Sequence, residues 1–182
     1  MCRCSFIVPV YNVKSDYLSC CIRSILKNNS NDLELILVDD YSTNGCESLC
    51  DNYALIDKRV KVFHHKQNLG VSASRNQGVE SCFGEWVVFV DGDDWVESNT
   101  YEILLNHMSN DVDVITFSAY RECLNRTQEF GTAEYIIRYD NVAENNGIQV
   151  LRDNLLKQCL KSTHPMFDIL KYCWGKAFNR KF

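Results

Sequence analysis

The sequence predicts an α/β fold, a largely parallel central sheet flanked by helices in three layers, and three observations carry that prediction. Short apolar runs alternate with amphipathic stretches through the first half of the chain in a βαβαβαβ order, which favours parallel strands joined by right-handed crossovers. Polar clusters follow each of the four strands: Pro9 with Tyr11 and Asn12, Asp39-Asp40, Asn68 with Gly70, and Asp91-Gly92-Asp93-Asp94. In such sheets ligands bind beyond the carboxyl ends of the strands. The third observation is size, since 182 residues with 46% hydrophobic content can bury one sizeable core.

Each element has its own signal. Residues 5–10 read as a buried strand, and Ser15 and Asp16 give a start signal for a helix on which Tyr17, Leu18, Ile22, Ile25 and Leu26 recur at helical spacing. Residues 33–38 form a second strand, apolar apart from Glu34, and the loop 39–45 leads to a helix carrying Leu49, Tyr53 and Ile56. Residues 60–64 are a third strand, 71–82 a third helix and 85–90 a fourth strand, after which Asp94 or Ser98 is placed to cap the next helix. Further on, residues 112–120 read as a strand, 135–138 as a β-excursion, and Val150, Leu151, Leu155 and Leu156 as a helix face.

Composition narrows the functional classes. A formal charge of −5 with scattered Lys and Arg argues against a nucleic-acid footprint, although Lys171, Lys176, Arg180 and Lys181 make the last stretch locally basic. The apolar run of residues 6–11 is interrupted by Pro9 and is too short for a signal peptide or a membrane span, so a cytoplasmic location is expected. Ten cysteines occur without Cys-x-x-Cys spacing, which points to reduced, packed thiols. Cys46 and Cys50 could share a metal with His64 or His65, but buried packing is the preferred expectation. The sequon at Asn125 has no export signal beside it. Gly-x-Gly-x-x-Gly and the P-loop signature are both absent.

Carboxylates as close as those of the acidic tetrapeptide repel one another and resist burial, so they need a cation, a helix N-terminus or open water. Asp91 and Asp93 alternate along an extended chain and face one side, as a divalent metal and a diphosphate would require. A solvated loop would explain the tetrapeptide alone. Carboxylate pairs after both the second and the fourth strand favour a site for a nucleotide plus a metal.

Five motifs in register then carry a family resemblance: Ser5-Phe6-Ile7-Val8-Pro9-Val10-Tyr11-Asn12; Val38-Asp39-Asp40-Tyr41-Ser42-Thr43-Asn44-Gly45; Asn68-Leu69-Gly70 with Ala73-Ser74-Arg75-Asn76; Gly84-Glu85; and the Asp91-Gly92-Asp93-Asp94 block. Together they resemble the family 2 glycosyltransferases of the GT-A fold. Trp174-Gly175-Lys176-Ala177-Phe178-Asn179-Arg180 resembles a weaker motif from the second half of that family. The resemblance implies a GT-A (Rossmann-like) three-layer sandwich, with residues 1–120 as a nucleotide-sugar-binding core and 121–182 as an incomplete acceptor-side segment of the same domain.

It also implies transfer of a sugar from a nucleotide diphosphate donor, a UDP-sugar by preference, to an acceptor hydroxyl with inversion, assisted by Mn²⁺ or Mg²⁺. On that pattern Asp93 is the metal ligand and Asp91 lies near the ribose and the metal. Asp94 fixes the loop by capping. Asp39 or Asp40, with Asp40 preferred, accepts a hydrogen bond from the base, and Pro9 and Tyr11 pack around it. Asn12, Asn68, Gly70 and Gly92 complete the donor site, and Arg75 is a diphosphate contact. The expected acceptor is a glycan or a lipid-linked acceptor in polysaccharide biosynthesis, met in the cytoplasm or at the inner face of the cell membrane through peripheral association. Which sugar, which acceptor and which oligomeric state apply is not legible.

The general base of such an enzyme is often part of a Glu-Asp pair after the Trp-x-Lys motif, and no Glu-Asp pair occurs in this chain. The base is therefore expected beyond Phe182. The alternative is a non-catalytic nucleotide-sugar-binding module or a truncated domain that lacks the general base. A sugar nucleotidylyltransferase would want a Gly-rich loop after the first strand, and residues 9–12 offer none. His64 and His65 end a strand near the rim without any partner visible in the sequence, and no chemistry is assigned to them.

Overall fold

A computed structural model of the chain describes residues 2–109, 112–116, 119–123, 126–130, 136–137 and 176–180. The elements run β1 (Cys4–Val10), α1 (Ser15–Leu26), β2 (Leu33–Asp39), α2 (Cys46–Ile56), β3 (Val60–His64), α3 (Val71–Ser81), β4 (Trp86–Phe89) and α4 (Thr100–His107). They continue as β5 (Val114–Thr116), β6 (Ala119–Cys123), β7 (Arg126–Phe130), β8 (Ile136–Ile137) and β9 (Lys176–Asn179). The main sheet has the order β3-β2-β1-β4-β9-β5-β8, and β6 and β7 form a separate antiparallel ribbon. Strands β1 to β4 are mutually parallel, whereas β9 runs antiparallel between β4 and β5.

The order places β1 at the point where the connections reverse: the chain leaves β1 toward β2 and β3, then returns to pair β4 on the other side. A crevice forms at such a switch, beyond the carboxyl ends of the strands. Alternation along the strands sends their side chains to two cores. Phe6, Val8 and Val10 pack with Leu18, Ile22 and Ile25 of α1, Cys46 and Cys50 of α2, and Leu104 of α4. Ile7 joins Ile36, Val38, Cys82 and Val87 on the opposite face, where α3 lies across β1 and β2. That approach is close at Gly78, since a Cβ there would overlap the Ile7 side chain. Cys46 and Cys50 are buried within the first core, and Cys46 donates to the Val13 carbonyl at 3.1 Å.

Glu34, the polar exception in the second strand, is buried and joins three segments. Its Oε1 accepts from Ser5 Oγ at 2.6 Å, Phe83 N at 2.5 Å and Gly84 N at 3.1 Å, while Oε2 meets Lys61 Nζ at 2.6 Å. A side chain at position 84 would run into Ser5, including its backbone nitrogen at 2.6 Å. Burial raises the Glu34 carboxyl, but the donors outweigh it and hold the group below its usual range. Arg59 plays a related part at the other end of α1, donating to the carbonyls of Leu26 and Asn28 at 2.9 and 2.8 Å beside its ion pair with Asp57.

Several expectations change. Helix α1 does begin at Ser15, but Lys14 is its N-cap and no side chain caps it; Asp16 lies in the first turn, where a negative charge suits the helix dipole. Neither Asp94 nor Ser98 caps α4, whose N-cap is Asn99, because the tetrapeptide closes its own turn through Asp94 N donating to Asp91 O at 2.9 Å. Strand β2 runs on to Asp39, and β4 stops at Phe89. The helix expected around residues 150–156, and Trp174 and Gly175, lie outside the described residues. Among the described residues no helix is long and apolar enough to cross a membrane.

Candidate functional site

The carboxyl ends of the parallel strands open on a cavity of about 650 Å³. Pro9, Tyr11 and Asn12 line it from the end of β1, Asp40 from the end of β2, Asn68 and Gly70 from the β3–α3 loop, and Asp91, Gly92 and Asp93 from the loop after β4. Of the residues expected from the sequence, Asp39 and Arg75 are not in its wall. Lys14 and Tyr17, at the start of α1, and Val71 and Ser74 of α3 are. Lys14 had one overlooked signal, a cation directly ahead of a helix start beside a candidate anion site; it sits over the Tyr17 ring at 5.2 Å.

Two adjacent carboxylates at the end of β2 diverge. Asp39 completes the strand, opposite Val10 on one side and His64 on the other. Its Oδ1 accepts from Ser42 N at 3.3 Å, and its Oδ2 meets His64 Nδ1 at 3.3 Å. The His64 Nε2 also reaches Asp51 of α2 at 3.0 Å. Burial pulls the His64 pKa down, but the hydrogen bonds to Asp51 and Asp39 more than offset it and leave it raised. Asp39 is thus occupied on the helix side of the sheet.

Asp40 turns to the cavity and is 2% exposed. A carboxylate so buried needs donors, and among the described residues it has three: His65 Nδ1 at 2.7 Å and Leu69 N at 2.8 Å on Oδ1, and Gly70 N at 2.7 Å on Oδ2. Burial raises its pKa, yet these bonds prevail and keep the group below the usual carboxylate range. Gly70 is the N-cap of α3 at φ +89°, a conformation L side chains rarely adopt. Asp40 therefore ties the end of β2 to the start of α3. Both histidines have partners across the sheet, which corrects the expectation that they lacked any.

The other rim loops are pinned to each other. Asn12, at φ +50°, accepts from Thr43 N through its Oδ1 at 2.8 Å, and its own backbone N–H donates to Ser42 Oγ at 2.9 Å. Asn44 Nδ2 donates to the Val13 carbonyl at 2.8 Å. Tyr41 holds φ +67°, uncommon for an aromatic residue, on the same loop.

In the acidic loop, Arg75 Nη2 donates to Asp91 Oδ1 at 2.7 Å from behind the cavity wall, and the Phe89 ring lies 5.9 Å from the guanidinium carbon. Arg75 Nε is buried without a partner among the described residues. Cys21 Sγ approaches the Asp91 carbonyl at 3.6 Å. Burial, then the fields of Asp93 and Asp91, push the Asp94 carboxyl above its usual range. Among the described residues no group of three or more His, Cys, Asp or Glu could hold a metal alone. Asp93 and the second oxygen of Asp91 remain, a donor set that fits Mg²⁺ or Mn²⁺, since such ions take one or two carboxylates together with substrate phosphates.

A parallel half-sheet with carboxylates gathered in the crevice of its topological switch defines the class as a doubly wound α/β protein. The chain belongs to glycosyl transferase family 2, whose sequence profile matches residues 5–168. It is 37% identical to the glycosyltransferase GlyG of Streptococcus pneumoniae over 117 residues, covering 64% of this chain and 38% of that protein. With the glycosyltransferase GlyA of the same organism it shares 32% identity over 185 residues, 98% of this chain and 25% of that protein. S. aureus TarS in complex with UDP-GlcNAc superposes with a TM-score of 0.60 at 28% identity, over 68% of this chain and 36% of that one. The mannosyltransferase PcManGT from Pyrobaculum calidifontis, at 22% identity and a TM-score of 0.57 over 63% of this chain and 35% of that one, shares the GT-A fold. The chain spans less than half the length of each of these relatives.

Proposed function

We propose that the chain binds a UDP-sugar in this cavity and is the donor-binding part of an inverting, metal-assisted glycosyltransferase acting on a hydroxyl of a glycan or lipid-linked acceptor. The observation that carries this is the convergence of Asp40, Asp91 and Asp93, from the ends of two separate strands, on one cavity. The likeness to TarS, a protein seen with UDP-GlcNAc, supports the choice of donor.

The roles follow from position. Asp40 faces the base as a fixed acceptor, with Pro9 and Tyr11 beside it. Asn12, Asn68, Gly70 and Gly92 shape the wall around the nucleotide. Lys14 brings an ammonium to the wall where a diphosphate needs counter-charge. Asp93 and Asp91 would hold Mg²⁺ or Mn²⁺. When bound, such an ion supplies positive charge to the oxygens of the departing diphosphate. Arg75 acts through Asp91, gripping one carboxylate oxygen and leaving the other toward the cavity. Among the described residues we assign none as the base that takes the acceptor proton.

Calorimetric titration of UDP, GDP and UDP-GlcNAc into the 182-residue chain, with and without Mn²⁺ and on Asp93→Ala, tests the proposal. UDP and UDP-GlcNAc are expected to bind with Mn²⁺ and to weaken at least about tenfold in the variant. Equal binding without metal, or by Asp93→Ala, removes the metal role. Absence of nucleotide binding overturns the function.

A further inference from the structure

The base-facing carboxylate carries more information than its identity, because its lone pairs can be counted. An ionised carboxylate offers about four acceptor positions and no donor. On Asp40, Oδ1 already takes His65 Nδ1 and Leu69 N, and Oδ2 takes Gly70 N. One acceptor position remains, on the oxygen bonded to the α3 N-cap. The histidine is firmly placed: its side chain is 10% exposed, and its backbone N–H donates to Asp39 O at 2.9 Å, extending the β2–β3 ladder past His64. Facing a carboxylate that can only accept, Nδ1 carries a proton and donates.

We propose that His65 is a positioning residue for donor recognition: by saturating one Asp40 oxygen, it leaves a single acceptor aimed into the cavity and so selects nucleotides whose base presents a ring N–H, such as uracil, over those presenting a bare ring nitrogen, such as cytosine. This rests on the nucleotide-binding function proposed above. Leu69 N holds Oδ1 and Gly70 N holds Oδ2, while His65 adds the third bond and takes the last lone pair of Oδ1. Without it Oδ1 regains an open acceptor position, the carboxylate is held by two bonds in place of three, and the acceptor offered to the base is no longer a single one. The ring N3 of uracil donates, whereas that of cytosine accepts and would meet the carboxylate lone pair to lone pair. Discrimination is strongest where a buried polar group would otherwise be left facing a like group.

Two variants of the 182-residue chain separate the donor from the ring. His65→Phe keeps a ring and removes the donor; His65→Asn keeps an N–H donor near the Nδ1 position and removes the ring. UDP and CDP are titrated calorimetrically into wild type and both variants, with thermal unfolding measured alongside. His65→Phe is expected to bind UDP about tenfold more weakly while CDP changes by less than about threefold, so that the UDP:CDP ratio collapses, and His65→Asn is expected to keep UDP within about threefold of wild type. An unchanged ratio in His65→Phe, or a parallel loss of both nucleotides together with the unfolding temperature, overturns the proposal, since a merely structural histidine would act that way. Should His65→Phe not fold, His65→Asn decides alone: UDP within about threefold supports the proposal and a tenfold loss rejects it. Wild type that binds neither nucleotide removes this inference along with the function. Wild type that binds UDP while the variants do not differ removes only the inference.

Discussion

Replacing Glu34 by alanine is expected to destabilise the chain by about 3–5 kcal/mol, and the figure follows from which donors lose their acceptor. Four groups meet this carboxylate, but they do not count equally. Lys61 is 37% exposed at its side chain, so water and salt already screen it, and its share is at most about 1 kcal/mol. Gly84 N keeps an alternative acceptor, Ser5 Oγ at 2.9 Å. Ser5 Oγ and Phe83 N have no other acceptor among the described residues, and each orphaned donor costs about 1–3 kcal/mol. Glu34→Gln preserves shape and one acceptor oxygen, so about 1–2 kcal/mol is expected there. Urea unfolding followed by circular dichroism gives both numbers from the midpoints at constant slope. The direction of the Glu34 shift adds a pH signature: because its folded pKa is lowered, the stabilisation is present above the ordinary Glu range near about 4.3 and fades as pH falls through the folded value. A loss below about 1 kcal/mol for Glu34→Ala would refute the account of the turn at residues 83–84 as a carboxylate-held junction.

Three further outcomes are expected. Gly78→Ala forces a Cβ into the Ile7 side chain and should cost about 1–3 kcal/mol in denaturant midpoint, with the cost shrinking when Ile7→Ala is combined with it; additive losses would show that α3 does not press on β1 there. Asp40→Ala should weaken UDP binding about tenfold in calorimetry even when EDTA has removed all metal, and an unchanged affinity would take the base contact away from this residue. His64 has a raised pKa, so its stabilising contribution is full below the ordinary His value near about 6.5 and is lost as pH rises through the folded value. Unfolding temperatures of wild type and His64→Gln, compared across that range, should converge as pH rises, and a constant gap would count against the link to Asp39 and Asp51.

The parallel half of the sheet was legible because its signals are local. Each of the first four strands is an apolar run with a polar cluster at its carboxyl end, and the first two helices repeat their apolar residues at helical spacing. The divergence of Asp39 and Asp40 was not legible in that way. Which neighbour enters the cavity depends on where β2 ends, and pairing with Val10 and His64 carries the strand one residue further than its apolar run. Side-chain period then sends the two carboxylates apart. The partners of His64, His65 and Arg75 lie 13 to 25 residues away on other elements and loops, beyond any local pattern. Strand β9 is four residues long and pairs with segments far upstream, which leaves no periodicity to read.

That late strand sets an order of assembly. The parallel strands come from the first ninety residues, yet β4 and β5 are not neighbours, because Lys176–Asn179 lies between them. During synthesis β4 therefore waits with an open hydrogen-bonding edge while nearly ninety more residues are made, and β5 has no place in the sheet until they arrive. Unpaired edges of this kind invite association with other chains. The loop bearing Asp91 and Asp93 leaves the end of that strand, so the candidate site borders a sheet edge that is covered only by sequence far from its own motifs.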